Sequence, residues 1–154
     1  MRPIKFRGKR IDNSEWVYGS LTIYNAYDLN DGIHKPEPFH TFIRKQDVEW
    51  RDDPDNKRWF FPSYEVDPAI VGQFTGLCDK NGKEIYEGDR VNVEYYYEAD
   101  YCHKDESVVA IVLFDGGMFL IACDNFLDCS SLDFAVESCV TEVIGTIRDQ
   151  EAEQ

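Results

Sequence analysis

Short runs of alternating apolar and polar residues, cut by Gly, Asn and Asp, recur along the chain, and long helical periodicity is scarce. Successive side chains of a strand point to opposite faces, whereas a helix repeats every 3.6 residues. The pattern therefore predicts an all-β, β-dominated fold: a small antiparallel, barrel-like domain with at most one or two short helices. PIKFRGKR sets Ile4 and Phe6 against charged neighbours, and EWVYGSLTIY follows it after the turn formers Asp12-Asn13-Ser14. Residues 41–50 and the closing VTEVIGTIRD read as further strands. Asp67-Pro68 opens a single helical turn, because proline suits a first helical position.

The sharpest hairpin signal is SVVAIVLF joined to MFLIACD through Asp115-Gly116-Gly117, where glycine supplies positive φ. Both runs are nearly continuous in apolar residues, which predicts cover on both faces. NFLDCSSLDFAVES, residues 125–138, does not alternate cleanly and reads as a short helix. One domain is expected over residues 1–150, with polar excursions near 25–40 and 92–106 and a frayed tail at 151–154.

Among the 154 residues, 43% are hydrophobic and 14% aromatic, enough to build a core. The net charge of -14 repels a phosphate backbone, so direct nucleic-acid binding is not expected. The acid is concentrated in 91–154, while MRPIKFRGKR carries five basic groups and no acid. Such a surface suits solubility, or a basic partner. Five cysteines lie at 78, 102, 123, 129 and 139, an odd count with no CxxC pair. With no signal-like or membrane-length apolar run, reduced thiols, a cytoplasmic setting in a bacterial cell and no membrane are expected.

A weak internal repeat relates FRGKRIDNSEWVYG to FTGLCDKNGKEIYEG at an offset of 68. Phe6, Gly8, Asn13 and Tyr18 coincide with Phe74, Gly76, Asn81 and Tyr86, and Val17 faces Ile85. The shared chemistry is that of a hairpin, and it predicts two similar hairpins with Tyr18 and Tyr86 at equivalent places.

Gly72 to Val91 looks like a loop for phosphate or calcium but fits neither. Gly82 is followed by Lys83-Glu84 rather than G-K-[ST]. With Asp79 as first ligand of an EF-hand loop, the fifth and sixth places are Lys83 and Glu84 and the twelfth is Arg90. A strand, a turn from Asp79 to Gly82 and a further strand entered through Gly88-Asp89 remain. Cys102, His103, Cys123, Cys129 and Cys139 lack paired zinc spacing. His34, His40 and His103 sit in no nucleophile motif, so no catalytic residue, metal or cofactor is assigned. The runs Trp50, Trp59, Phe60, Phe61 and Tyr95, Tyr96, Tyr97 cannot all face one core. Trp50, Trp59, Phe60, Tyr95 and Tyr97 are therefore candidates for an interface or a second packed layer.

FRGKR…W-x-YGSL, VDPAIVGQFTGLCDKNGKEIYEGDRV and EVIGTIRD, in that order, resemble the YopX family of phage and prophage proteins. The residues carrying the resemblance include Phe6, Gly8, Tyr18, Gly19, Asp67, Pro68, Gly72, Phe74, Gly76, Asp79, Asn81, Gly82, Tyr86, Gly88 and Asp89. It implies a small, β-rich, phage-encoded protein, and it transfers no catalytic residue. Cys78 and the Tyr-rich stretch at 94–106 depart from the family pattern. Three functions are expected in order: an accessory, protein-binding and self-associating domain acting on a host or phage protein; an acidic decoy for a host nucleic-acid-binding protein; and an enzyme with an unrecognised site.

Overall fold

The computed structural model describes residues 3–25, 39–45, 49–51, 58–99, 102–123, 130–132, 135–136 and 139–147. The chain divides into two compact units, Ile4–Gly72 and Gln73–Gln154 with Met1–Pro3. Among the described residues, apart from one 3-10 turn and the helical residues 132, 135 and 136, the elements are strands paired antiparallel, an all-β fold.

The N-terminal unit holds β1 (Phe6–Lys9), β2 (Trp16–Asn25), β3 (Phe39–Arg44), β4 (Glu49–Arg51), β5 (Arg58–Phe60) and β6 (Ser63–Glu65). Within it the ladder runs β6-β3-β2-β1, while β4 pairs with β5 separately. Alternation sends Val17 and Ile43 to one side, where Val66 completes a small core flanked by Phe6, Leu21, Tyr64 and Val71. The 3-10 turn Pro68–Ile70 forms as the Asp-Pro pair predicts: the Asp67 carboxylate accepts from the Ala69 N–H at 2.9 Å.

The C-terminal unit holds β7 (Gly72–Cys78), β8 (Glu84–Tyr86), β9 (Asp89–Ala99), β10 (Cys102–Asp115), β11 (Met118–Cys123), β12 (Ser130–Ser131) and β13 (Val140–Thr146). Five of these form a sheet in the order β12-β11-β10-β9-β13. Among the described residues this sheet is open, its ladder ending on β12 and β13, so barrel-like is only a loose description. β10 and β11 meet through Gly116 and Gly117, at φ 57° and 86°, the two-residue turn that Asp-Gly-Gly predicts. Val91, Val93, Ala110, Val112, Phe119 and Ile121 build the core on one face.

Two expectations change. Within the stretch at 92–106, residues 92–99 and 102–106 are paired strand, Val93 opposite Val108 and Ala99 opposite Cys102. The apolar runs of β10 and β11 are covered on one face only: Val109, Leu113 and Met118 are 44%, 41% and 54% exposed. In the stretch read as a helix, Leu132, Ala135 and Val136 are helical, and Leu132 and Ala135 enter the core. Ser130 and Ser131 pair with β11 instead, and the remainder of that stretch lies outside the described residues. So do 26–38 of the expected N-terminal excursion and the tail at 151–154.

Candidate binding surfaces

The most identifying segment is wired by carboxylates to backbone. Asp79 accepts from the Asn81 and Lys83 N–H groups through Oδ1, at 2.8 and 2.9 Å, and from the Val143 N–H through Oδ2 at 3.0 Å. One side chain thus closes the turn and fastens it to β13. Burial pushes the Asp79 carboxyl up, but the bonds from Val143, Lys83 and Asn81 outweigh it and hold it below the usual range. Gly82, at φ 79°, donates to the Asp79 carbonyl at 2.9 Å. Asp89, fully buried, accepts from the Tyr86 N–H at 2.8 Å and starts β9. Gly88 donates to the Val112 carbonyl at 2.8 Å, joining the β8–β9 turn to β10. Asp79 and Asp89 thus accept from backbone, and Glu84 accepts from the Tyr86 hydroxyl at 2.7 Å, which gives these acids a structural role.

The repeat holds at the turns and fails at the tyrosines. Each shared Asn precedes a left-handed residue, Ser14 at φ 60° and Gly82 at φ 79°, one repeat apart. Val17 and Ile85 are both buried. Tyr18, however, lies opposite Arg7 and is 48% exposed, whereas Tyr86 lies opposite Phe74 and is 2% exposed. Register decides the difference: Phe6 faces Gly19, but an irregularity between Phe74 and Cys78 moves Phe74 onto Tyr86. β8 is covered on both sides, because its neighbours Ile85 and Tyr86 are both buried. Of the other family-pattern residues, Gly8 lies opposite Val17 in β1, Gly72 opens β7, and Gly76, at φ 90°, sits inside the irregularity.

Two exposed faces stand out. On the C-terminal unit's sheet, Leu113 lies opposite Leu120, Ile111 opposite Ala122, and Asp115 opposite Met118. These pairs face away from the core side of Val112 and Ile121, and Val109 continues the row. Arg90, Asn92, Glu94 and Glu142 share that face by register. Lys80 reaches over it, 2.6 Å from Glu142 and 4.0 Å from Glu94. The face is an apolar stripe bordered by both signs of charge.

On the N-terminal unit's sheet, Lys9 lies opposite Trp16 and Arg7 opposite Tyr18. The Arg7 and Lys9 charges rest over the Trp16 ring at 4.8 and 5.2 Å, and Arg44 over Phe61 at 4.9 Å. Of the five basic groups of the first ten residues, three, Arg7, Lys9 and Arg10, belong to β1 and its bridge to Val66. Nearby, Arg10 stacks on Tyr64 at 4.1 Å and pairs with both oxygens of Asp12 at 2.8 and 2.5 Å. The bond from Arg10 lowers the Asp12 carboxyl. Arg10, Ile11, Asp12, Ser63, Tyr64 and Glu65 line an open cleft of about 380 Å³, in which Arg10 pairs with Asp12 while Glu65 bonds His40. Sequence periodicity carried the signal for the cationic face, since Arg7 and Lys9 share a strand parity, but the register needed to set them on Trp16 came only with the fold.

The aromatic interface candidates are placed by backbone alone. Trp50 pairs with Trp59 across β4–β5, where Phe60 opposes Glu49. Tyr95 pairs with Glu106 and Tyr97 with Lys104 across β9–β10. Their side chains lie outside the described residues. Among the described residues Cys78, Cys123 and Cys139 form no disulfide, and burial pushes the Cys139 thiol up. Among the described residues no three His, Cys, Asp or Glu side chains converge as metal ligands. Among the same residues, no helix is long and apolar enough to cross a membrane.

Residues 5–151 match the family described as YopX protein. No curated protein sequence matches the chain. Among solved structures it is similar to protein EF1440 from Enterococcus faecalis, at 20% identity and a TM-score of 0.50, over 98% of this chain and 97% of that one. That likeness concerns the fold. The family match spans nearly the whole sequence, and the chain belongs to the YopX family.

Proposed function

We propose that this YopX-family chain is a non-enzymatic accessory protein of phage or prophage origin. It works in the bacterial cytoplasm by binding protein, beginning with a second copy of itself. The observation that carries this reading is the apolar stripe of β10 and β11, in which Val109, Leu113 and Met118 are exposed and Ile111 and Leu120 half-buried. Strands apolar on both sides suit burial on both sides, and here one side meets water. A second copy fits because the border holds Lys80 and Arg90 beside Glu94 and Glu142, a pattern that complements itself about a twofold axis. Two such sheets stack about 10 Å apart, and a stable contact needs roughly 1,000 Å² in total.

The test is sedimentation of the wild-type chain beside Leu113→Glu, a change at an exposed site. Wild type is expected to associate and the variant to sediment as a monomer with an unchanged circular dichroism spectrum. Equal sedimentation of the two would remove the stripe from the account.

The acidic-decoy reading draws on one further observation. The C-terminal unit carries eighteen acidic against six basic side chains, while the N-terminal unit carries twelve against ten. A basic host protein would bind the former with strong salt dependence. Association that persists at high salt, or survives charge reversal in residues 91–154, counts against it.

A further inference from the structure

We propose that the open edge of β6 takes an extended segment of a partner protein as an added strand, with a basic side chain of that segment beside Asp12. This site lies on the N-terminal unit and does not depend on the apolar stripe above. Among the described residues β6 ends its ladder. Its register says where its backbone groups point. Val66 donates to the Thr41 carbonyl at 2.9 Å, and Lys45 to the Pro62 carbonyl at 2.9 Å. In an antiparallel ladder, hydrogen-bonded pairs alternate with pairs whose N–H and C=O groups turn outward. Between those two bonds Glu65 lies opposite Phe42, Tyr64 opposite Ile43 and Ser63 opposite Arg44. Tyr64 is therefore bonded to β3, while Ser63 and Glu65 turn their backbone groups to the other side.

β1 uses part of that side. At the antiparallel bridge of Arg10 to Val66, the Ile11 N–H meets the Glu65 carbonyl at 3.2 Å and the Asp67 N–H meets the Lys9 carbonyl at 3.1 Å. The chain then turns through Ile11, Asp12 and Asn13. The cleft of about 380 Å³ opens here, lined by Arg10, Ile11 and Asp12 from one segment and Ser63, Tyr64 and Glu65 from the other. Ser63 presents both its N–H and its C=O on this side. An added strand takes up the ladder where β1 leaves it, and main-chain bonds hold it.

The side chains around the cleft order the occupant, taken antiparallel to β6 as β1 is. Its residue opposite Ser63 shares a face with Arg44, which is exposed and rests over Phe61 at 4.9 Å; an acid suits that place. The residue before it lies opposite Tyr64, whose ring carries the Arg10 guanidinium at 4.1 Å; an aliphatic side chain suits that place. One residue earlier the segment reaches Asp12, which pairs with Arg10 and is still 64% exposed. A lysine or arginine there meets the carboxylate and lays its stem on Ile11, 60% exposed. Successive residues are thus basic, aliphatic and acidic. A second copy of β6 fits less well, because antiparallel pairing about Ser63 brings Phe61, not a cation, toward Asp12.

Amide hydrogen exchange of the full chain, read residue by residue by NMR, tests this. The probes are the end-blocked peptide Ser-Lys-Val-Glu-Ser and its reordered form Ser-Glu-Val-Lys-Ser. In the free chain the Tyr64 amide should exchange slowly and the Ser63 amide at least about tenfold faster. The first peptide should slow Ser63 about tenfold at saturation and leave Tyr64 unchanged, and the reordered form should bind about fivefold more weakly. N-methylation of the peptide's Glu blocks its bond to the Ser63 carbonyl and should weaken binding about tenfold. Ser63→Pro, tolerable on an edge, should weaken it as much, whereas Ser63→Ala keeps the N–H and should bind as wild type. Asp12→Asn should narrow the gap between the two peptides, and Leu113→Glu should change nothing. Unslowed Ser63 exchange at high peptide concentration overturns the proposal. So does tighter binding of the reordered or N-methylated peptide. Slow Ser63 exchange without peptide overturns it too, and a rise in that protection with protein concentration would give the edge to a second copy.

Discussion

The hairpin of β1 and β2 and the hairpin of β7 and β8 start from nearly the same letters and put them to opposite uses. In the first, the tyrosine lies outward beside a row of cations. In the second, it is sealed inside against Phe74, with ring centroids 5.4 Å apart. Their turns agree closely, each placing its left-handed residue just after the shared Asn. Their registers do not agree, and a one-residue difference in pairing changes which side chains meet water. Similar sequence thus fixes the turn, while pairing and cover decide whether the hairpin becomes scaffold or surface. The first hairpin leaves Tyr18 to water because only one of its faces is needed for a core. The second serves the fold because both of its faces are.

The largest way to break this comparison is to remove the two tyrosines separately. Tyr86→Ala should cost about 3–5 kcal/mol in urea unfolding, and Tyr18→Ala under about 1 kcal/mol. Equal costs would mean that the faces are wrongly assigned. A step smaller is the turn carboxylate, present in one hairpin and replaced by exposed Ile11 in the other. Asp79→Ala strands the N–H groups of Asn81, Lys83 and Val143; about 2–3 kcal/mol should be lost, against almost nothing for Ile11→Ala.

Smaller again are the left-handed positions, where the hairpins should respond in opposite directions. Ser14→Gly relieves a positive φ and should stabilise by about 0.5–1 kcal/mol, and Gly82→Ala should destabilise by about 1 kcal/mol. Thermal midpoints moving the same way would break the equivalence. The smallest effect is on pH dependence. The Asp79 carboxyl is held low in the folded chain, so its contribution is present above the ordinary carboxylate value of about 3.9 and fades as pH falls through the folded value. Asp79→Asn should flatten the acid limb of a stability–pH curve, and an unchanged limb would show that other acids govern it.

Much of the fold was legible because it is written locally. Asp115-Gly116-Gly117, Asp67-Pro68 and the turn from Asp79 to Gly82 each state their conformation in two to four residues. The fate of Tyr18 and Tyr86 was not legible, since register depends on an irregularity between Phe74 and Cys78 that no single residue announces. Nor was the exposed stripe, because an apolar run such as SVVAIVLF reads alike whether one face or both are covered. The cationic face was hidden by a charge sum: a net of -14 conceals three cations gathered on one side of one sheet. Composition averages over surfaces, and binding does not.

The central functional claim is that the uncovered face of β10 and β11 holds a second copy of this chain. Light scattering on the purified wild-type protein over a wide concentration range tests it most directly. The account predicts a molar mass at a multiple of the 17.9 kDa chain mass. A mass that stays at one chain throughout would contradict it.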